Sequence, residues 1–402
     1  MAAAEGVLEW QGGGCVDSRR PQRLACIRST APQLYETDQI PGDPVMPART
    51  ARARQLILAD VATGTQAATT WLIDHVPWLA EDASGDAGAD TVAGVYRVPY
   101  ALALVGRRPE AARALSWMER HVLDASGDLC TGPMRAAFSQ RWSSYPLAII
   151  AQAAWHLERY DTADAIRRTL FNFRDSQTGD AYAQRPELRT HRRQDLFTTA
   201  QLGLTGLTLG DHDLADGAFG WLATLHDLQL ELPVRLYTAR DGDRLMCRAD
   251  EVDADRFGLV TEFNAPRQAF YNPGIAAAFL ARYSAARSEP SARLLADSYL
   301  SLTEGGGPQQ FDSTESVQVC KFGWGAAALL DLSSQPRLLE HVLRMARWFL
   351  DCQHPDGHWQ NSPFLLPGGA TLASNIEVTA EFIQHLVTIA SALAGVRAEA
   401  VQ

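Results

Sequence analysis

Residues 336–359 read PRLLEHVLRMARWFLDCQHPDGHW. Its run LLEHVLRMARWFLDC places apolar residues at helical spacing, so it forms an amphipathic helix, and Pro355 and Gly357 then break it. One such break says little about a fold. Its recurrence decides the architecture.

From about residue 53 onward an amphipathic helix, a Gly/Asp loop and an apolar Ala/Gly-rich helix follow one another repeatedly. The loops read DASGD (82–86), DASGD (124–128), DSQTGD (175–180), EGGGPQQFD (304–312) and DCQHPDGHW (351–359), with a sixth near LQLELPVR that lacks the glycine. They recur at intervals of roughly 40 to 75 residues, the range of repeated supersecondary units. The first helix of each pair keeps a polar face, as in PEAARALSWMERHVL and DTADAIRRTLFNF. The second is apolar on nearly all sides, as in YPLAIIAQAAW, NPGIAAAFLARY and IEVTAEFIQHLVTIASAL. A helix with no solvent face must be surrounded by others. Six surrounded helices inside six half-exposed ones predict an all-α (α/α)6 toroid over residues 53–402, preceded by an irregular leader, 1–52.

Links from the second helix to the next first helix are short (GRRPE, ERYD, GDHD, SAARSEP, SSQP), whereas links within a pair are mostly long. Every long loop therefore gathers on one rim, where the inner helices begin. Long loops on a rigid scaffold are where function usually sits. The same rim collects six positive helix ends, which favour an anionic group on a ligand.

Gln353, Gly357 and Trp359 resemble the Q-x-x-x-G-x-W repeat of the terpenoid cyclase and protein prenyltransferase superfamily. Similar repeats occur in toroidal glycoside hydrolases and pectate lyases, so the resemblance speaks for fold more than substrate. It implies a structural staple, with Trp359 packed against a neighbouring repeat. Class II terpene cyclases protonate an alkene or epoxide through Asp-x-Asp-Asp. The nearest match is Asp253-Ala-Asp255-Arg256, which would make Asp255 the proton donor, although Arg256 departs from the motif. A neighbouring cation makes a carboxyl a poorer acid. Some relatives of this architecture hold zinc through Asp, Cys and His. Asp351, Cys352 and His354 lie close in sequence, but no second cluster stands at ligand spacing, so no metal and no cofactor are expected.

The 402 residues carry a net charge of −11, which disfavours nucleic acid and anionic membranes as partners. No uninterrupted apolar run approaches the roughly 18 residues of a transmembrane span. Six scattered cysteines without a CxxC pair suit reduced thiols in a cytoplasm. Nucleotide-binding, Rossmann, serine-hydrolase and metalloprotease motifs are absent from the sequence. The oligomeric state stays open.

Residues at the starts of the inner helices should face the cavity: Tyr96, Arg97 and Tyr100; Arg141, Trp142 and Tyr145; Arg192, Arg193 and Asp195; Arg267, Gln268, Tyr271 and Asn272; Lys321 and Trp324; Asn375, Glu377 and Glu381. Loop 185–195 holds four arginines and a histidine against two acids. Either its guanidinium forks bind an anionic substrate, or they answer nearby acids in ion pairs. Asp195, Asp255, Glu262, Asp312, Glu377 and Glu381 are candidates for acid/base work, and Glu377 and Glu381 lie one helical turn apart. Cys320 beside Lys321 is a thiolate or, as an inner-helix cysteine usually is, a small core residue. The expected function is cofactor-independent acid/base cyclisation, isomerisation or elimination of a small, anionic, terpenoid-like or other natural-product substrate. Asp255, Asp195, Glu377 and Glu381 would be catalytic there, and the aromatics would shield positive charge. A carbohydrate hydrolase, lyase or epimerase acting on uronate-type sugars is the alternative, and a noncatalytic binding module the third.

Overall fold

The computed structural model describes residues 48–79, 92–189, 192–305, 319–333, 335–361 and 368–396. Among them are twelve principal helices: α1 (Ala48–His75), α2 (Val98–Leu104), α3 (Arg108–His121), α4 (Tyr145–His156), α5 (Tyr160–Leu170), α6 (Leu196–Leu209), α7 (His212–Asp227), α8 (Tyr271–Arg287), α9 (Pro290–Glu304), α10 (Cys320–Leu330), α11 (Pro336–Asp351) and α12 (Leu372–Gly395). The even-numbered helices pack in sequence, α2 on α4, α4 on α6, and onward until α12 returns to α2. That closure makes the inner ring, and the odd-numbered helices pack outside it. The chain is an all-α (α/α)6 toroid.

Burial follows the sequence pattern. Every residue from Tyr145 to Ala154 of α4 and from Asn272 to Ala281 of α8 is buried. On α11 burial is confined to one face, with Leu338, Leu339, Val342, Leu343, Met345, Ala346, Trp348 and Phe349 turned inward. Small residues let the inner helices approach closely. A Cβ on Gly274 of α8 would stand 2.3 Å from the Lys321 carbonyl carbon, so this glycine fixes where α10 presents Lys321.

The loop glycines explain the repeat. Gly127, Gly179 and Gly357 all have positive φ, and a Cβ on each would meet the backbone of the next outer helix, at Ala165 of α5, Gly217 of α7 and Ala67 of α1. The acid in the same loops ties the turn, as Asp124 Oδ1 accepts from Ser126 N and Asp175 Oδ1 from Gln177 N, each at 2.8 Å. In the last loop Gln353 Nε2 donates to Gly64 O of α1 (2.9 Å) and to Gly357 O (2.7 Å). Trp359 is buried, donating from Nε1 to Phe349 O at 2.8 Å and from its N–H to Thr379 Oγ1 at 3.1 Å. The motif is a staple, but the division of labour differs from expectation. Trp359 packs within its own helix pair, while Gln353 and Gly357 reach the neighbouring repeat.

Three features depart from the sequence reading. Helix α1 begins at Ala48, inside the stretch read as irregular leader. The loop between α7 and α8, with the segment before α6, forms two small antiparallel sheets, one ordered β1 (Arg193–Asp195), β3 (Ala239–Asp241), β4 (Arg244–Leu245), the other pairing β2 (Arg235–Tyr237) with β5 (Val260–Glu262). Helix α12 is, by length and composition, long and apolar enough to cross a membrane, because its polar residues are few and spaced. Here it is an inner-ring helix packed on α1, α2, α10 and α11. The loop 82–86, Asp312 and most of 304–312 lie outside the described residues.

Candidate active site at the mouth of the ring

All six inner helices deliver side chains to one cluster near their N-terminal ends. A single 3-10 turn, Val95–Arg97, runs straight into α2 and carries Tyr96 and Arg97 inward. Tyr145 opens α4, Phe197 lies in the first turn of α6, Tyr271 opens α8, and Lys321 follows the first residue of α10. Helix α12 adds a stripe of period four, Glu377, Glu381 and His385, along one face.

Tyr96 donates its hydroxyl proton to Glu377 Oε1 at 2.5 Å, across 281 residues of sequence. Arg97 Nε donates to the Tyr96 oxygen at 3.2 Å, and its Nη2 donates to the Tyr145 hydroxyl at 2.7 Å. Nη2 also stands 3.5 Å from Glu381 Oε2. The Lys321 ammonium pairs with Glu381 Oε1, and His385 Nε2 lies 3.8 Å from the same oxygen. Above Lys321 the rings of Phe197 and Tyr271 lie 5.2 and 5.5 Å from Nζ. Tyr145 stacks on Phe197 at 4.4 Å, and Trp142 and Tyr271 border Phe197 at 5.4 and 5.1 Å.

The two carboxylates of α12 are driven apart. Burial raises the Glu377 pKa above its ordinary value, against the opposing pull of Arg97 and the Tyr96 hydrogen bond. Burial acts on Glu381 in the same sense, yet Arg97 and Lys321 outweigh it and bring that group down to about 2. Burial also lowers His385 to about 3, so its ring is neutral, with Nδ1 unpartnered. Arg97, Lys321 and Glu381 together carry one positive charge in excess whenever Glu377 is protonated. Glu377 itself is only half-buried.

A second cluster sits beside the first. Asp255 takes Arg141 Nη2 at 2.5 Å and the Gly258 N–H at 3.2 Å on Oδ1, and Arg193 Nη1 at 2.6 Å on Oδ2. Both oxygens are committed to tying rim loops together, a poor arrangement for delivering a proton. Asp195 caps α6, accepting from Thr198 N at 2.8 Å and Thr198 Oγ1 at 2.9 Å, and burial raises its pKa. Tyr271 links the clusters, since Asp195, Arg141, Tyr145 and Asp255 all act on its hydroxyl electrostatically.

The remaining sequence candidates separate. The arginines of loop 185–195 resolve toward internal partners: Arg185 pairs with Asp128 and Glu187, Arg192 with Asp175 at 2.8 Å and Arg193 with Asp255, while Arg189 lies over the Tyr182 ring. The local basic excess is answered by acids from elsewhere in the fold. Glu262 likewise pairs with Arg235 and Arg256. Gln268 accepts from Glu262 N–H, and Asn272 donates to Thr261 Oγ1, both shaping the loop. Tyr100 and Trp324, one turn into their helices, line a small pocket of about 50 Å³ inside the ring with Gln152, Gln201 and Arg282. Cys320 is the core residue of its two readings, because burial pushes its thiol up to about 12 and outweighs Lys321. Cys320, Glu381 and His385 hold ligand atoms within 4.8 Å of one another. A protonated thiol and an ammonium already on the carboxylate make that set unsuited to a cation.

Trp142 and Arg267 have φ of +54° and +58° outside any helix C-terminus, whereas Glu158 and Ser288, with similar angles, end helices. A bulky residue held there is strained, and such strain concentrates at ligand-binding rims. Asn375, in the first turn of α12, keeps a buried, unpartnered Oδ1 two residues from Glu377. Sequence reasoning missed Phe197 and His385. First-turn position would have found Phe197, and the four-residue stripe from Glu377 would have found His385.

Comparison with solved structures bears on the fold. D-mannose isomerase matches with a TM-score of 0.59 at 10% identity, over 86% of this chain and 99% of that one. The family 76 glycoside hydrolase alpha-mannanase of Bacteroides thetaiotaomicron matches at 0.55 and 12% identity, over 81% and 95%. A type II terpene cyclase from Scytonema, solved with geranylgeranyl dihydroxybenzoate, matches at 0.50 and 13% identity, over 84% and 99%. The chain shares their toroid. All three structural neighbours are enzymes by name, of three different reaction classes. No protein-family model matches the chain, and no curated protein matches it in sequence.

Proposed function

We propose that this toroid is an enzyme that moves a proton on a small organic substrate bound at the mouth of the ring, without a cofactor, in an isomerisation or elimination. The observation that carries the reading is the split of Glu377 from Glu381. Two carboxylates one turn apart, one raised and half-buried, the other lowered to about 2 and enclosed, are the arrangement expected of a proton-transferring group beside a fixed charge.

Glu377 is the base, taking a proton from a carbon next to a carbonyl or carboxylate, and returning it elsewhere for isomerisation. In elimination the electrons instead expel a leaving group on the neighbouring carbon. Negative charge develops near Arg97 and Lys321, whose surplus positive charge stabilises it. Tyr96, fixed by Arg97, orients Glu377 and supplies a second exchangeable proton. Asn375 Oδ1 accepts a substrate hydroxyl, and Trp142, Tyr145, Phe197 and Tyr271 keep water out.

With Glu377 protonated, the same surplus charge opposes a carbocation. A unit charge about 6 Å away at an effective dielectric of about 20 costs roughly 3 kcal/mol, about a hundredfold in rate. With Asp255 engaged by two arginines, cation-initiated cyclisation is the weaker branch of the original expectation. Isomerisation of a sugar, the reaction class in the name of D-mannose isomerase, can run by a proton transfer of the favoured kind. Glycoside hydrolysis needs two carboxylates facing across a cleft, whereas Glu377 and Glu381 share one helix.

The test is proton exchange in D2O, followed by NMR with aldoses, uronates and hydroxy acids as probes. Glu377→Gln should reduce exchange of an accepted compound by 10²- to 10⁴-fold. Because the base must be ionised, exchange should rise with pH through a pKa above the usual carboxylate range. Exchange by Glu377→Gln within threefold of the parent chain would refute the assignment.

A further inference from the structure

The turn that closes the ring brings three metal-binding side chains together. His354, Asp356 and His358 offer ligand atoms that all lie within 4.8 Å of one another. None belongs to the mouth cluster, and the trio differs from the Asp351, Cys352 and His354 set suggested by sequence proximity. Backbone bonds set the geometry: His354 N–H donates to His358 O at 2.9 Å and Gly357 N–H to His354 O at 2.8 Å. The two imidazoles consequently face each other, with centroids 4.5 Å apart and planes 23° from parallel.

His358 is the anchored member. It is buried, stacked on Trp71 of α1 at 4.8 Å, and Trp71 stacks in turn on His75 at 4.3 Å. Its Nδ1 lies 2.5 Å from Asp356 Oδ1 and its Nε2 lies 3.2 Å from Gln360 Nε2. Gln360 sits on Nε2, which leaves Nδ1, beside Asp356, as the nitrogen an ion shared with Asp356 would take. His354 and Asp356 are exposed, and the His354 side chain has no hydrogen-bond partner among the described residues.

We propose that His354, Asp356 and His358 bind a divalent transition-metal ion of the zinc class, completed by water. Two imidazoles and one carboxylate suit zinc, nickel or copper and fall short of the oxygen-rich shells of calcium or magnesium. With metal–nitrogen bonds of about 2.1 Å, ligand atoms must stand about 3.4 Å apart. Rotation of exposed His354 and Asp356 closes the difference while His358 stays clamped by Trp71. The same five-residue turn contains Gly357, pressed on Ala67 of α1, and follows Gln353, bonded to Gly64 of α1. Metal binding therefore fastens the seam where the last repeat meets the first.

The experiment is a Zn²⁺ titration of untagged protein at pH 7.5, by calorimetry, with thermal unfolding recorded with and without Zn²⁺. The site predicts one ion per chain, a Kd on the order of micromolar, and a Tm increase of about 2 to 6 °C at saturation. His354→Ala and Asp356→Asn, both at exposed positions, should each weaken binding at least tenfold and remove the Tm increase. Cys320→Ser should bind as the parent chain does. Absence of stoichiometric binding up to about 100 μM Zn²⁺, undiminished binding by His354→Ala, or loss of binding in Cys320→Ser would each overturn the proposal.

Discussion

Replacing Glu381 by Gln keeps the side-chain shape and removes the carboxylate that Arg97 and Lys321 share inside the ring. At an effective dielectric of about 20, the attraction across the 3.5 Å Arg97–Glu381 contact is about 5 kcal/mol before desolvation. Removing one member of such a group leaves buried cations uncompensated, a loss of about 3 to 5 kcal/mol. Linkage gives a similar figure. A carboxyl lowered from 4.5 to about 2 contributes roughly 3 kcal/mol at pH 7. Because the folded-state pKa is depressed, this contribution is fully present above pH 4.5 and fades as pH falls through about 2. Urea unfolding followed by circular dichroism should therefore show Glu381→Gln about 3 to 5 kcal/mol less stable at pH 7. The deficit should narrow by about 1 kcal/mol at pH 4. Adding Lys321→Met should restore part of the loss, since one of the unpaired cations goes with it. A deficit below about 1 kcal/mol, or a double variant as unstable as the two single losses added, would refute the shared-carboxylate account.

Three further outcomes follow from the same geometry. Cys320, with its thiol pushed up to about 12, exposes only about one thiolate in 10⁴ at pH 8, so iodoacetamide should label it after unfolding and spare it in the native chain. Gly357→Ala places a Cβ 2.7 Å from the Ala67 carbonyl carbon at a φ of +104°, and should lower stability by at least about 2 kcal/mol, read as a drop in Tm. Asp255→Asn should keep proton-exchange activity within tenfold, because Asp255 ties rim loops together; abolished exchange in a folded variant would return the acid role to it.

The positions that sequence reading located are those where local pattern and global place coincide. Gly127, Gly179 and Gly357 were legible because each loop must press its backbone on the next outer helix, and only glycine permits that contact. Glu377 and Glu381 were legible as a pair because helical periodicity puts them on one face. Their opposite electrostatic fates were not. Those depend on Arg97 and Lys321, which approach Glu381 from two other helices, at separations of 284 and 60 residues. Arg192, Arg193 and Asp255 looked like anion forks and an acid for the same reason, since the partners that occupy them are distant in sequence.

The periodicity of apolar residues and the alternation of short and long links were sufficient for the ring, because a helix lacking a polar face has to be enclosed and a short link forces its neighbours to run antiparallel. Charge states at the mouth, strain at Trp142 and Arg267, and the convergence of His354, Asp356 and His358 belong to tertiary structure alone. Each arises from distances between chain segments, and Coulomb, burial and coordination energies change over a few ångströms that no local pattern records.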